Sequence, residues 1–459
     1  MLRLWTLVPM LVATACLPDL LDPADHARQV VVPDSLQLTV GTTVVLDVVV
    51  RDNGGVPIPD AQVAYFPQDA AIASVNADGE VAAHAPGRTT ITVTSGGASG
   101  AVAIHVGLRF DQLAAGRDHT CGLTLGGLYC WGRNDRGQLG VGDRSDRLVP
   151  VRVPGTWTMV ATGAEHTCAL DPGGQASCWG RGSDGRIGQS STADALSPVP
   201  VTGGYAFDHL ALGDAHACGR LGLSIRCWGA NGSGQLGDGS QVGRNTPVAV
   251  VTDTSFTSMF VGGSHTCALD LRGTTWCWGA NDRGQLGVDT MVTLPQTTPR
   301  RTLDSLRFNA LALGQAFSCG RTFTSAVFCW GRGEEHQLGL GGTVTAQYVP
   351  AALTTVAGDT LRFRDLAAGW VHACGVLATD MLACWGTSRL GLPNLHQAAR
   401  PTEVGVAGDL VALGRTHTCH RAAQTVSCWG GGSDGALGFG DLTSTDLPRP
   451  VARQLPSGG

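Results

Sequence analysis

The sequence contains no lysine: all 31 basic residues are arginine, set against 37 acidic ones for a net charge of -6. No basic stripe or tail stands out, which excludes the phosphate-backbone electrostatics on which nucleic-acid binders depend. Aromatic residues amount to only 6%, so the chain is globular without being rich in large side chains. Residues 30–106 hold no cysteine at all, although the chain as a whole has 15. Beyond the N-terminus no run is long and apolar enough to span a bilayer. The 65 glycines and 22 prolines follow no collagen-like period. Many tight turns between short strands account for them, because glycine supplies the positive φ such turns need. At 459 residues the chain is long enough for two or three domains.

The first segment reads as an address. Met1, Leu2 and Arg3 give a minimal positive start, residues 4–15 are apolar, and the run ends in Ala13-Thr14-Ala15-Cys16. The run is shorter than the roughly 20 residues of a membrane span, and Ala-x-Ala is a small-residue cleavage signal. A cysteine directly after it resembles a bacterial lipoprotein box, with Ala13 where leucine is usual. Residues 1–15 are therefore read as a signal peptide, Cys16 as the lipidated residue and 16–29 as a tether. The mature chain is expected in the cell envelope, lipid-anchored to the outer membrane or cell surface.

From residue 108 onward the chain repeats itself seven times. The first copy reads Ala115-Gly116-Arg117-Asp118-His119-Thr120-Cys121, then Cys130-Trp131-Gly132, then Gly137-Gln138-Leu139-Gly140. The others carry Cys168 with Cys178-Trp179, Cys218 with Cys227-Trp228, Cys267 with Cys277-Trp278, Cys319 with Cys329-Trp330, Cys374 with Cys384-Trp385, and Cys419 with Cys428-Trp429. First cysteines recur every 45 to 55 residues, the scale of a blade of four short strands. Within a copy the two cysteines lie 9 or 10 positions apart. Either spacing makes them direct neighbours across a hairpin, at a Cβ distance a disulfide can close. In an exported chain this reads as seven disulfides, leaving Cys16 over. Zinc would need ligands at closer spacing; a reduced, buried cysteine core is the other alternative. The tryptophan after each second cysteine points to the opposite face of its strand, and both positions are expected to be buried.

The pattern Gly-x-x-His-Thr-Cys-Ala-Leu, nearly ideal at residues 262–269, followed by Cys-Trp-Gly and Gly-Gln-Leu-Gly, resembles the repeat of the regulator of chromosome condensation family. The resemblance covers residues 108–455 and implies a seven-bladed β-propeller. Because Pro448-Arg449-Pro450-Val451 matches the Pro-Val strand found before Gly163 and Gly213, the C-terminal strand is expected to join a blade with residues 108–115 and so staple the ring shut; 456–459 is a tail. Residues 30–107 read as a small β-sandwich, with strand-like runs at 35–40, 43–51, 88–94 and 101–106. The segments Val75-Asn76-Ala77-Asp78-Gly79-Glu80-Val81 and Pro86-Gly87-Arg88-Thr89-Thr90 resemble the bacterial group 2 immunoglobulin-like domain, a common spacer on surface proteins. The fold class is thus all-β, a seven-bladed propeller preceded by an immunoglobulin-like sandwich.

Several motifs have plainer readings. Residues 180–185 and 430–435 match the dinucleotide pattern, and 431–435 the esterase elbow, but both chemistries need a helix after the turn and these fall in the repeat's own post-tryptophan turn. His119, His166, His216, His265, His372 and His417 share one repeat position, with Phe317 in the one remaining copy, so they read as framework residues that satisfy a neighbouring backbone group. Glu334-Glu335-His336 breaks the pattern and reads as a solvated turn. Asp135, Asp184, Asp282 and Asp434 lack calcium-loop spacing.

Positions that vary between copies are free for recognition. The two residues before each framework histidine vary most: Arg117-Asp118, Ala164-Glu165, Asp214-Ala215, Gln315-Ala316, Trp370-Val371 and Arg415-Thr416. They are expected on one face as a ring of mixed charge. Arg117, Asp118, Glu165, Asp214, Gln315, Trp370 and Arg415 are the candidate partner-binding residues, since Trp and Arg often anchor interfaces. Loops 141–149 and 238–246 form a second candidate surface. The expected function is a monomeric interaction module for a protein or polymer, not an enzyme. Neither cofactor, metal nor nucleic acid is expected, and membrane contact only through the lipid. The family resemblance implies protein binding: secreted bacterial members include β-lactamase inhibitors. The eukaryotic namesake's nucleotide exchange on a small GTPase does not fit an exported, lysine-free chain. A propeller enzyme with an unrecognised site and an architectural envelope protein are the alternatives.

Overall fold

The computed structural model describes residues 29–125, 127–288, 293–302, 306–423 and 425–451, and the chain divides into two compact units after Val106. The signal peptide, Cys16, the tether up to residue 28 and the 456–459 tail lie outside the described residues.

In the first unit the hairpin of Gly87–Ser95 and Ala98–Gly107 pairs along its full length. It forms the centre of a four-stranded sheet edged by Ser35–Thr39 and Ala64–Pro67. Alternation along the hairpin buries Ile91, Val93, Val102 and Ile104 on one face, as a half-buried sheet requires. A three-stranded sheet places Glu80–Ala83 between Thr43–Val45 and Ala73–Val75, and Gln29–Val31 pairs with Val49–Arg51. The run 43–51, expected as one strand, is therefore two. Its first half pairs with Glu80–Ala83 and its second with Gln29–Val31. Between them the buried Leu46 donates its amide to the carbonyl of Gly79 at 2.8 Å, and the chain changes sheet.

The second unit consists of seven four-stranded antiparallel sheets, each built from one contiguous stretch of chain. Blade 1 comprises Gln112–Ala115, His119–Thr124, Gly127–Gly132 and Arg147–Val153, from the inside outward. The first strands of successive blades touch around the axis, and that of blade 1 meets Leu410–Leu413 of blade 7. In every blade the two cysteines are directly opposed, as in Cys121 with Cys130, and bridged with a Cα–Cα distance of 4.1 Å. All fourteen cysteines and all seven following tryptophans have no solvent exposure.

The outer strand is the edge of each blade, and there the sequence puts proline at one equivalent place: Pro150, Pro198, Pro247, Pro299, Pro350, Pro401 and Pro448. A strand edge tolerates a residue without an N–H, and the missing donor blunts pairing with another chain. The inner end has the opposite demand. A Cβ on Gly116 would sit 2.5 Å from the carbonyl oxygen of Gly163 and 2.3 Å from the His119 ring, and the same clash recurs at Gly163, Gly213, Gly262 and Gly414. Glycine is required because the blades converge there.

The expectation that the C-terminal strand would enter the first blade is not met. Thr445–Pro450 pairs with Thr425–Gly430 of its own blade, and Gln112–Ala115 with His119–Thr124 of its own. The Pro-Val strand follows each Cys-Trp-Gly strand and pairs with it locally, as Val151 does with Cys130 and Val199 with Cys178. No copy is left short of a strand. The ring closes instead by face packing, with Phe110, Leu113 and Trp131 of blade 1 in one cluster with Cys419, Val426 and Leu437 of blade 7. The Trp131 indole N–H also donates to Ala436 O at 2.9 Å.

Candidate functional site

The loop between the first two strands of each blade begins with the convergent glycine and ends at the framework histidine. Backbone hydrogen bonds link these loops around the axis, from Asp214 N to Gly263 O at 3.1 Å and from Gly263 N to Gly314 O at 3.1 Å. Arg415 N donates to Arg117 O at 3.1 Å, joining the seventh loop to the first. The loops enclose a cavity of about 160 Å³ on the axis, lined by their glycines together with Arg117, Asp214, Gln315, Trp370 and neighbouring backbone.

The histidines have a different partner from the one expected. They bond a side chain of the next blade rather than a backbone group. His119 Nε2 lies 2.9 Å from Thr167 Oγ1, and the same contact joins His216 to Thr266, His265 to Ser318, His372 to Thr418 and His417 to Thr120. The Thr167 hydroxyl donates to Gln138 O at 2.8 Å, so its one proton is committed and His119 donates through Nε2–H. Burial holds these imidazoles neutral, lowering His119, His216 and His372 to about 3 and His265 and His417 to about 4. Two joints depart from the rule. Phe317 faces a blade whose residue is Ala373, and apolar meets apolar; His166 faces Ala217 and both its ring nitrogens lack a partner among the described residues.

The residues between glycine and histidine divide by depth. On blades 1 and 2 the second of the pair lies beneath the mouth: Asp118 and Glu165 have side chains only 7% and 13% exposed. Three guanidinium groups surround Asp118, Arg415 at 2.9 Å, Arg117 at 3.3 Å and Arg133 at 3.6 Å. Arg181 reaches Glu165 at 2.6 Å, and Arg117 also lies over the Trp370 ring, 5.3 Å from its centroid. In the next loop, on blade 3, Asp214 is half-buried, and its carboxylate makes no hydrogen bond or ion pair among the described residues. Desolvation pushes its pKa up to about 6, opposed by the charges of Arg117 and Arg186 and aided by that of Glu165.

The structure thus gathers Arg117, Asp118, Glu165, Asp214, Gln315, Trp370 and Arg415 around one opening. Loops 141–149 and 238–246 lie on the same side, nearer the rim. There Asp143 and Asp238 brace them by accepting from Asn134 and Asn231. Glu334 is held by Arg283 and Arg332, at 2.9 and 3.0 Å, and His336 Nδ1 contacts Gly342 O. Among the described residues no three His, Cys, Asp or Glu side chains are placed to hold a metal ion. The dinucleotide-like stretch holds only a three-residue 3-10 turn, Ser183–Gly185. Arg133 and Arg181 were not singled out from sequence. Their signal was available, because the residue after Cys-Trp-Gly varies between copies while the motif does not.

A closed ring of four-stranded blades with convergent glycine loops defines a β-propeller. The model of the regulator of chromosome condensation (RCC1) repeat matches residues 126–170, 227–269, 272–327 and 324–376, and a second model of that repeat matches 110–138, 158–186 and 256–285. The bacterial Ig-like domain (group 2) model matches 29–106. The chain is an RCC1-type repeat protein with an N-terminal bacterial Ig-like domain. It is 44% identical over 77 residues to the ultraviolet-B receptor UVR8 of Arabidopsis thaliana, 16% of this chain and 17% of the receptor. It is 28% identical over 163 residues to the probable E3 ubiquitin-protein ligase HERC4 of Homo sapiens, 33% of this chain and 15% of that protein. The chain therefore spans about a sixth of the length of these relatives. Among solved structures it is similar in fold to yeast RCC1 (Prp20), with TM-score 0.64 and 21% identity over 73% of this chain and 84% of that one. Human WBSCR16 is similar at TM-score 0.63 and 19% identity, over 71% and 93%.

Proposed function

We propose that the chain is an extracytoplasmic, lipid-anchored interaction module that binds a protein or polymer through the axial mouth of its propeller, and is not an enzyme. The observation that carries this reading is the contrast within the seven inner loops. Glycine and histidine recur where the blades must meet, while the position between them changes to Arg117, Asp214, Gln315, Trp370 or Arg415 around one cavity. A framework alone has no need of that diversity. Buried acids fix the arginines in place, so less conformational freedom is lost on binding. The polar groups of the mouth are arranged to hold a surface, and two of its three acids, Asp118 and Glu165, are engaged in ion pairs with arginines. Export is supported by the Ala-x-Ala-Cys16 segment, by seven disulfides, which persist in oxidising compartments, and by the bacterial Ig-like domain. Protein binding has a parallel in the yeast relative, whose structure is described with Kap60 bound.

The test is affinity capture from the native host's envelope and culture medium with the immobilised, oxidised chain, alongside a Trp370→Ala, Arg415→Ala variant. One partner retained by the native chain and lost from the variant is the expected result. Identical retention by both baits, or none by either, overturns the recognition reading and leaves an architectural role.

A further inference from the structure

The guanidinium groups at the mouth are more exposed than the acids that hold them. Side-chain exposure is 33% for Arg117, 37% for Arg181 and 36% for Arg415, against 7% for Asp118 and 13% for Glu165. The acids sit below and the arginines face outward. Asp118 alone is shared by Arg117, Arg133 and Arg415, so cationic groups outnumber their buried counterions on this arc of blades 7, 1 and 2. Arg415 uses Nε and Nη2 on Asp118, and Arg181 uses Nε on Ser183 and Nη1 on Glu165. Each keeps further N–H donors directed away from its anchor. A guanidinium fixed on one edge by a buried carboxylate presents its remaining fork without rotamer cost, the geometry that suits a second carboxylate.

We propose that Arg117, Arg181 and Arg415 form a clamp for the carboxylates of an acidic segment on a protein partner. This rests on the reading of the mouth as the recognition face, and it supplies the chemistry of what that face takes. Asp214 stands on blade 3, at the edge of this arc and near Arg117, Arg186 and Glu165, and orients the acidic segment toward blades 7, 1 and 2 by repulsion. Trp370, under Arg117, provides an apolar floor.

The experiment uses the full oxidised chain and a fluorescein-labelled tetraglutamate peptide followed by anisotropy, with tetralysine as the opposite-charge control. The expected results are saturable binding of tetraglutamate, none of tetralysine, and affinity about tenfold weaker for Arg415→Gln or Arg181→Gln, as for arginine anchors of interfaces. Asp214→Asn is expected to bind more tightly. Arg181→Gln does not touch Asp118 and keeps the test decisive should Arg415→Gln fail to fold. The proposal is overturned if tetraglutamate does not bind, if the arginine variants bind it as well as the native chain, or if a single-stranded oligonucleotide of equal charge binds better, which would make the arc a general polyanion site. Should tetraglutamate fail while the Trp370→Ala, Arg415→Ala variant still loses its captured partner, the mouth remains the recognition face and only the carboxylate preference falls.

Discussion

The hydroxyl that follows each framework histidine decides how two blades are joined. Where Thr167 stands, it accepts from His119 and donates to Gln138 O, the same carbonyl that takes the Trp179 indole N–H at 3.0 Å. Where Ala217 stands, His166 has no partner among the described residues, and the corresponding carbonyl, Arg186 O, takes the Trp228 N–H. Ala217→Thr is therefore expected to stabilise the chain by about 1 kcal/mol, a net buried hydrogen bond, and Thr167→Ala to cost about 1–3 kcal/mol by stranding a buried N–H. Urea unfolding of both variants checks this; an Ala217→Thr protein less stable than the parent would mean that the joint lacks room for the methyl and hydroxyl. The same histidines set the pH response. His119, His166, His216, His265, His372, His417 and His420 are all held below the usual range by burial. As pH falls below about 6.5, the unfolded chain takes up protons that the folded chain refuses, so each group removes up to about 1.4 kcal/mol of stability per pH unit. Their contribution is complete above about 6.5 and is lost toward the folded values of about 3 to 4. Asp214, raised to about 6, and Asp365, also raised by burial, act in the opposite sense as pH falls, whereas His209, lowered by burial, acts with the seven. Melting temperature is expected to drop steeply between neutral pH and pH about 4; a flat profile over that range would contradict neutral buried imidazoles. The framework role of these histidines was legible from their recurrence and from Phe317 in the fifth copy. Their hydroxyl partners were not, because each lies in the neighbouring blade, 46 to 53 residues on for four of them and 297 residues back for His417.

Within a blade, two devices act at opposite ends of the strand order. The cysteine pair lies between the second and third strands and the proline on the fourth. Spacing placed the two cysteines opposite each other in a hairpin, and the exported context, not the spacing, favoured a bridge over a reduced, buried pair. Each bridge closes a loop of about ten residues and restricts the unfolded chain by about 2–3 kcal/mol in the loop-entropy account. Cys168→Ala with Cys178→Ala is expected to lower unfolding free energy by that amount while leaving the other six bridges and the circular dichroism spectrum intact. A loss below about 0.5 kcal/mol would show that residual structure in the unfolded chain already holds those strands together. The sandwich was less legible. Its central hairpin showed clean alternation, and residues 88–94 and 101–106 fall inside it. Short strands such as Ala64–Pro67 and Ala73–Val75 gave three or four residues of weak pattern. The switch at Leu46 gave none, because a continuous run of Thr, Val, Leu and Asp reads as one strand whichever sheet its halves join.

For the molecule as a whole, what closes the ring determines where the chain can be cut. A shared blade would make the two ends of the propeller one structural unit, and moving them would break it. Here each blade is complete in sequence, and the joint between blades 7 and 1 uses the same contacts as the others. Trp131 bonds to Ala436 O as Trp179 does to Gln138 O, Thr120 to His417 as Thr167 to His119, and a Cβ on Gly414 would meet Gly116 O at 2.6 Å as one on Gly116 would meet Gly163 O at 2.5 Å. The seam is chemically one joint among seven. The outer strand of one blade ends, and the inner strand of the next begins, on the hairpin side, so connections such as Pro154 to Thr158 or Val250 to Ser255 span outer edge to axis in five or six residues. A propeller permuted by joining residue 451 to residue 107 through a linker of similar length, and opened between Thr252 and Asp253, is therefore expected to fold. It should form the same seven disulfides and melt within a few degrees of the unpermuted propeller, since loop closure changes little with so short a connection. Differential scanning calorimetry with disulfide mapping checks it. Failure of this permutant to fold, beside a control carrying only the linker residues at its C-terminus, would mean that the first and last blades depend on their native ends in a way that face packing and the axial hydrogen bonds do not supply.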